Sequence, residues 1–584
     1  PDAHGNLLTV TDARGVAPWT FTYDSAGQLT TVTIPGGTLP TSLAYDVNGN
    51  LTTIVDPLQH TTRASYDAAS RLLSTTDPLG NLTEVDYDAL NSLTAIADAA
   101  GGVTRFSYDG NGNLRTVSDA RGGTTTYTYD VMDRVLTRTD PVNTTEQVLL
   151  YDGLGNVLQF RDRKGQSSQV AYDSLNRPLT ASWADGTVTA YTWDPVDRLT
   201  SVVETPPSGG VTSVVNDFDV LDRLVTQTTA LGSVSSTYDL ASRRQTMNTT
   251  TYDWDEASNL KHITRPVPGG SLVASFTYDP VGRRSTRTVT APTPSQGVST
   301  GYTYDAASQL IGLTYQRNGA TYGDLAYTYD AAGNRIAVGG SLARTLLPDS
   351  VSSAAYNAAN RQTQFGASTM TFDANGNLHT LTDNQGTTLN WDARDRLVSL
   401  TRGDGLTAAF TYDGLGRRVS KTVNGATTSY AYDGRDILST ITANGSTDYL
   451  MGLPLDEPLA RNGGTQFYLA DVLGSVITLA DNTGAGDTTY TYSPFGVTSS
   501  AGVASTNSLG FTGREADESG LYYHRARYYQ PVLQRFVSED RLQRMSRTNP
   551  YAYALNNPLR WIDPLGLAVR GESGGRQQAS TTGE

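Results

Sequence analysis

An aromatic residue followed by aspartate returns along the chain at Tyr23, Tyr45, Tyr66, Tyr87, Tyr108, Tyr129, Tyr151, Tyr172 and Trp193, in steps of 21 or 22 residues. Tyr-Asp occurs 15 times, where chance gives about 3, and a fixed period of this length means a repeat architecture. The rhythm stretches but persists through Phe218, Tyr238, Trp254, Tyr278, Tyr304, Tyr329, Phe372, Trp391, Tyr412 and Tyr432. Length alone would divide 584 residues into several ordinary domains; an internal period overrides that arithmetic.

Each unit alternates turn chemistry with short runs of Thr, Val, Tyr and Leu. In TYTYDVMDRVLTRTD, Tyr127 and Tyr129 share one face, as do Val135 and Thr137, which is strand patterning. Asp330 and Gly333 in YDAAGNRI occupy the first and fourth places of a type I turn, and DPLGN at Asp77–Asn81 marks a second turn. One period therefore predicts two strands and two turns, and roughly 20 units predict an all-β chain of antiparallel hairpins joined in one continuous sheet. The regular Tyr and Asp fit either sugar-stacking platforms or plain architecture, and fixed spacing favours architecture.

Composition removes several function classes. Lys+Arg 43 against Asp+Glu 58 gives a net charge of -15, so nucleic acid is not an expected partner. With Cys 0 there is no disulfide framework, thiol nucleophile or cysteine-ligated zinc. His4, His60, His262, His379 and His524 are scattered without metal-ligand spacing, and no phosphate-binding glycine loop occurs, so no metal and no cofactor is expected. No apolar run reaches the roughly 18 residues of a membrane-spanning helix. The opening Pro1-Asp2-Ala3-His4, without a methionine or a basic-then-apolar leader, reads as a fragment or processed piece.

From about residue 467 denser motifs replace the period: FYLADVLGSVITLAD, YTYSPFGV, GLYYHRARYYQPVLQRFVSED and NPYAYALNNPLRWIDPLGL. With these strings the chain resembles the RHS/YD-repeat family, with repeats over 1–466, the RHS repeat-associated core over 467–567 and a short disordered tail over 568–584. The resemblance implies a β-sheet strip spiralling into a hollow shell, as in teneurin-like YD shells, that encloses the polypeptide following the core. It also implies that the core plugs the shell and acts as a single-turnover aspartic autoprotease. On this chain that gives Asp563 and Asp540 as the catalytic carboxylates, Arg527 as the active-site arginine, and a cut between Leu567 and Ala568. Arg541, Gln530 and Gln534 depart from the family's usual Pro, Asp and Gly.

The chemistry is coherent on its own terms. Two carboxylates a few ångströms apart share a proton, so that one activates water while the other protonates the leaving amine, and a neighbouring arginine separates their pKa values. A cut delivered by the chain itself needs no substrate pocket. Against this, DPLG also stands at Asp77–Gly80 inside an ordinary repeat. A labile Asp-Pro bond would instead break after Asp563. The resemblance further implies a secreted or cell-surface bacterial protein whose partners are its own C-terminal toxin cargo and a delivery machinery. The tail after Leu567 is too short to be that cargo. The alternative reading is a non-enzymatic adhesion protein binding cell-surface carbohydrate.

Overall fold

The computed structural model describes residues 1–292, 296–484, 486–542, 549–567 and 569–571. The fold is all-β. A 31-stranded antiparallel sheet runs from Thr9–Val10 to Arg335–Gly339, and a 16-stranded one from Ala354–Tyr356 to Thr498–Gly502, each strand pairing with its neighbours in sequence. The expected single strip is thus broken once, over 340–353, where Pro348 and a stretch without period-two alternation offer no ladder. The second sheet passes residue 467 without interruption.

The strip has two chemically different edges. At the Tyr-Asp edge, Asp130 Oδ1 accepts the N–H groups of Met132 (2.8 Å) and Arg134 (3.0 Å), while Asp133 takes the left-handed conformation at φ 60. At the other edge, Asp77 Oδ1 accepts from Leu79 and Asn81, both 2.9 Å, with Gly80 at φ 85. The pairing register shifts just before the aromatic residue, between Thr22 and Tyr23, Ala44 and Tyr45, and Ser65 and Tyr66. Such bulges add local twist, and their concentration on one edge makes a strip with unequal sides bend.

Side chains then tie each hairpin to its neighbours. Tyr129 donates its hydroxyl to the Leu114 carbonyl (2.7 Å), and Tyr151 to that of Val135 (2.6 Å). Arg134 pairs with Asp130, donates to the Asp152 carbonyl at 3.1 Å, and lies 4.3 Å from the centroid of the Tyr151 ring. The same pattern joins Arg177 to Trp193 and Arg223 to Tyr238. Repeat aromatics are therefore used, by hydroxyl and by ring face, to hold one hairpin to the next.

Edge-to-edge contacts show that the strip coils. Arg14 donates to Asp279 across 265 residues, Arg121 to Asn360 across 239, Ala393 to Asp185 across 208, Thr212 to Tyr412 across 200, and Arg244 to Asp433 across 189. In the first four the Asp-Pro-type edge, or the strand bordering it, meets a Tyr-Asp edge farther along the chain. In the fifth Arg244, just past the Tyr238-Asp239 turn, meets Asp433, and the separation shrinks steadily along the series. Close seating demands small residues: a Cβ on Gly123 would lie 2.3 Å from the Ala358 carbonyl oxygen, and one on Gly414 would lie 2.2 Å from Val202. The chain exposes 27278 Å², whereas a compact protein of 62.5 kDa exposes about 20000 Å². A strip with both faces partly exposed adds to that area, as along Trp19–Tyr23 and Leu82–Tyr87, where exposed and half-buried residues alternate.

Full burial is concentrated late in the chain. Leu260, Ile263, Leu313 and Tyr315 pack with Leu450, Leu459 and Phe467, so strands of the two sheets share a core. Residues after Gly502 form a four-stranded sheet, Glu515–Ala516, Tyr522–His524, Arg527–Gln530 and Arg535–Phe536. Its Leu521, Tyr523, Tyr528 and Leu533 pack on Leu389, Leu400 and Phe410 of the second sheet. Arg418, fully buried, reaches Asp517 and Glu515 (both 2.5 Å) and holds the small sheet down by charge as well.

Candidate active site

The small sheet brings Arg527, Asp540 and Asp563 together. Arg527 Nη2 lies 3.0 Å from Asp540 Oδ2 and 3.2 Å from Asp563 Oδ2, so those carboxylate oxygens are at most 6.2 Å apart. All three residues are buried. The Arg527 Nε donates to the Gly566 carbonyl, its Nη1 to that of Pro550 (2.9 Å), and its guanidinium carbon stands 3.7 Å from the Phe536 ring centroid. Burial draws the Arg527 pKa below the usual arginine value, against the opposing pull of Asp540 and Asp563.

Each carboxylate is held the same way. Asp540 Oδ1 accepts the Leu542 N–H (2.9 Å) and Asp563 Oδ1 accepts the Leu567 N–H (3.0 Å), leaving both Oδ2 atoms towards the arginine. Asp563 opens a turn of the repeat type, Asp-Pro-Leu-Gly, with one change that matters. At Asp77 the fifth residue is Asn81, whose Nδ2 occupies Asp77 Oδ2 at 2.8 Å. At Asp563 the fifth residue is Leu567, which cannot do this, and Oδ2 is left to Arg527. Gly566, at φ 69, could not carry a side chain, since a Cβ would meet the His524 carbonyl oxygen at 2.6 Å.

Three residues that sequence reasoning did not place in the site also grip this turn. Arg514 and Arg525 both donate to the Pro564 carbonyl, at 3.2 and 2.6 Å. They come from the GREADES and YYHRARYY strings, and nothing in their spacing distinguishes them from structural arginines. His524 donates Nδ1–H to the Asp563 carbonyl (2.7 Å) inside a box of Tyr529, Phe536 and Tyr553 rings. Burial, reinforced by the nearby Arg514, holds it well below the usual histidine range, so it is a neutral donor.

A cavity of about 290 Å³ opens beside this cluster, with Arg514, Arg525, Arg527, Glu539, Leu565 and Leu567 on its wall. Water can therefore lie next to the last residues of the turn. Ala568, on the far side of the expected cut, lies outside the described residues. No helix among the described residues is long and apolar enough to cross a membrane.

Comparison with known proteins agrees with this architecture. The teneurin YD-shell profile matches residues 230–559, and the RHS repeat profile matches 2–39, 45–82, 87–122 and 108–145. The tRNA3(Ser)-specific nuclease WapA of Bacillus spizizenii is 30% identical over 258 residues, 41% of this chain and 11% of the nuclease. Double-stranded DNA deaminase toxin A of Burkholderia cenocepacia is 26% identical over 470 residues, 65% of this chain and 32% of that toxin. Among solved structures, TcdB2-TccC3 superposes with a TM-score of 0.59 at 17% identity, covering 94% of this chain and 38% of that one. The chain thus spans only a fraction of the length of each.

Proposed function

The chain belongs to the teneurin YD-shell family, and from that premise we propose that it is the shell of a bacterial RHS-type toxin, which encloses a C-terminal cargo and cuts itself once after Leu567. The observation that carries this reading is the placing of two buried carboxylates on one arginine nitrogen, with one of them bonded to the backbone of Leu567. Residues 467–567 are then the plug and protease. Relatives named as a nuclease and a deaminase toxin support a toxic cargo, and with it a delivery machinery and release outside the producing cell.

Water from the cavity attacks the Leu567 carbonyl carbon. One aspartate of the pair takes the water's proton and the other, protonated, gives its own to the Ala568 nitrogen. The peptide bond breaks to a Leu567 carboxylate and a free Ala568 amine. The step requires one proton shared between the two carboxylates, as in paired-carboxylate proteases. Arg527 fixes both carboxylates, and Arg514 and Arg525 immobilise the strand leading to the bond, so the cut proceeds at high effective concentration.

The test is intact mass with C-terminal sequencing of the wild type beside Asp540→Asn and Asp563→Asn. A wild type ending at Leu567, with both variants keeping 584 residues, is the expected result. A terminus at Asp563 would assign the cut to the Asp-Pro bond instead, and an uncut wild type would remove the protease from the reading.

A further inference from the structure

Asp540 is not positioned by the small sheet alone. Its neighbour Glu539 points the other way, into the wall, where Oε1 accepts from Arg138 Nη2 (2.8 Å) and Oε2 from Arg163 Nη2 (2.5 Å). These arginines precede Glu539 by 401 and 376 residues. They sit on the strand Val135–Thr139 and in the turn after Val157–Arg161, both in the first coil. Arg163 also pairs with Asp140 (3.1 Å), and Asp140 with Arg361 of the second sheet (2.8 Å). The same loop is fastened to the second sheet by the Leu378 N–H donating to the Val537 carbonyl (2.8 Å) and by the Tyr551 hydroxyl donating to that of Gly376 (2.8 Å). The segment carrying Asp540 is thus clamped where the first coil, the second sheet and the small sheet meet.

We propose that Glu539 is a positioning residue that makes self-cleavage wait for closure of the coil. Arg138 and Arg163 come within reach of Glu539 only after the strip has wound back on itself, and until then nothing in the first coil pins the Asp540 loop. Glu539 and Asp540 share one peptide bond and are held by different partners. A carboxylate locked onto Arg138 and Arg163 therefore fixes the backbone from which Asp540 reaches Arg527. The cut would then occur only in a chain whose wall is already shut around the polypeptide beyond Leu567. This rests on the self-cleavage reading and adds to it the condition under which the cut occurs.

The experiment tracks cleavage by intact mass during cell-free synthesis of the full chain. Glu539→Gln removes the charge and keeps the shape; Arg138→Met with Arg163→Met removes the other side. Each is expected to slow cleavage by about ten- to a hundredfold, the range a small misplacement of a reacting group costs, and all three substitutions together no further, because they break one clamp. Asp487→Asn loosens a comparable contact between coils, to Arg317 and Tyr322, which shares no partner with the Glu539 clamp, and should leave the rate within about twofold. A Glu539→Gln chain that cuts at the wild-type rate, or an Asp487→Asn chain slowed as much, overturns the proposal. Hydrogen exchange in an Asp563→Asn background supplies a readout that needs no cleavage. Residues 536–542 should exchange faster once Glu539→Gln is added, and unchanged exchange there overturns the clamp. A wild type that never cuts overturns the checkpoint together with the protease reading, while the exchange result alone still decides the clamp.

Discussion

Asp77 and Asp563 begin the same tetrapeptide and use the same oxygen to hold the N–H of the fifth residue. These two turns differ in whether that fifth side chain can occupy Oδ2. Leu567→Asn should therefore return the turn to its ordinary form: an amide would compete with Arg527 for Asp563 Oδ2, as Asn81 already does at Asp77. Cleavage measured by mass is expected to fall about tenfold or more, with the denaturant midpoint unchanged, and Leu567→Met should cut normally. Buried charge gives a second test at this scale. Arg418→Met would strand Glu515 and Asp517 without their main partner, and should cost about 3–5 kcal/mol in denaturant unfolding. The carboxylates and Arg527 were legible in the sequence only through the long core string, because Asp-Pro-Leu-Gly itself does not differ between the two turns. Arg514, Arg525 and Glu539 were not legible, since their partners lie tens to hundreds of residues away.

Within one coil, a hairpin of this strip is bonded to the hairpins beside it. Arg134→Met removes an ion pair, a carbonyl bond and a ring contact at once, each worth about 0.5–1 kcal/mol at a half-exposed site. Hydrogen exchange should accordingly speed up over the strands Thr124–Tyr129 to Val157–Arg161 and stay unchanged over Leu260–Tyr329, because repeat contacts reach only nearest neighbours. Strands and both turn types were legible from period-two alternation and from Asp and Gly at fixed places. The break over 340–353 was less so, as loops elsewhere in the strip carry similar residues without ending it. Strands also lengthen, to ten residues in Ala320–Tyr329, where aromatic spacing alone says only that the period has stretched.

At the scale of the molecule, a wall wet on both faces implies a radius of gyration clearly above the ~25 Å of a compact protein this long, which small-angle scattering can measure. Acid should loosen the coil before it melts the hairpins. Burial pushes the Glu457 carboxyl up, but Arg284 and Arg287 outweigh it and hold it below the usual glutamate range. A carboxyl depressed in the fold stabilises fully above its unfolded pKa, about 4.3, and loses that contribution as pH falls below it. Scattering should therefore show expansion below about pH 4.3 while the β-sheet circular dichroism persists, and Glu457→Gln should expand already at neutral pH. The coil was legible only through the family resemblance carried by the late motifs and not from the repeats themselves, because its contacts join residues 189 to 265 positions apart. Those long contacts and the short stitches of Tyr129 and Arg134 resist different things. Drawn out from a free end, the wall comes apart row by row, as a knitted cloth ravels, each loop yielding as its neighbour leaves. Stretched across the rows, it loads every lock between coils at once, and the cloth holds.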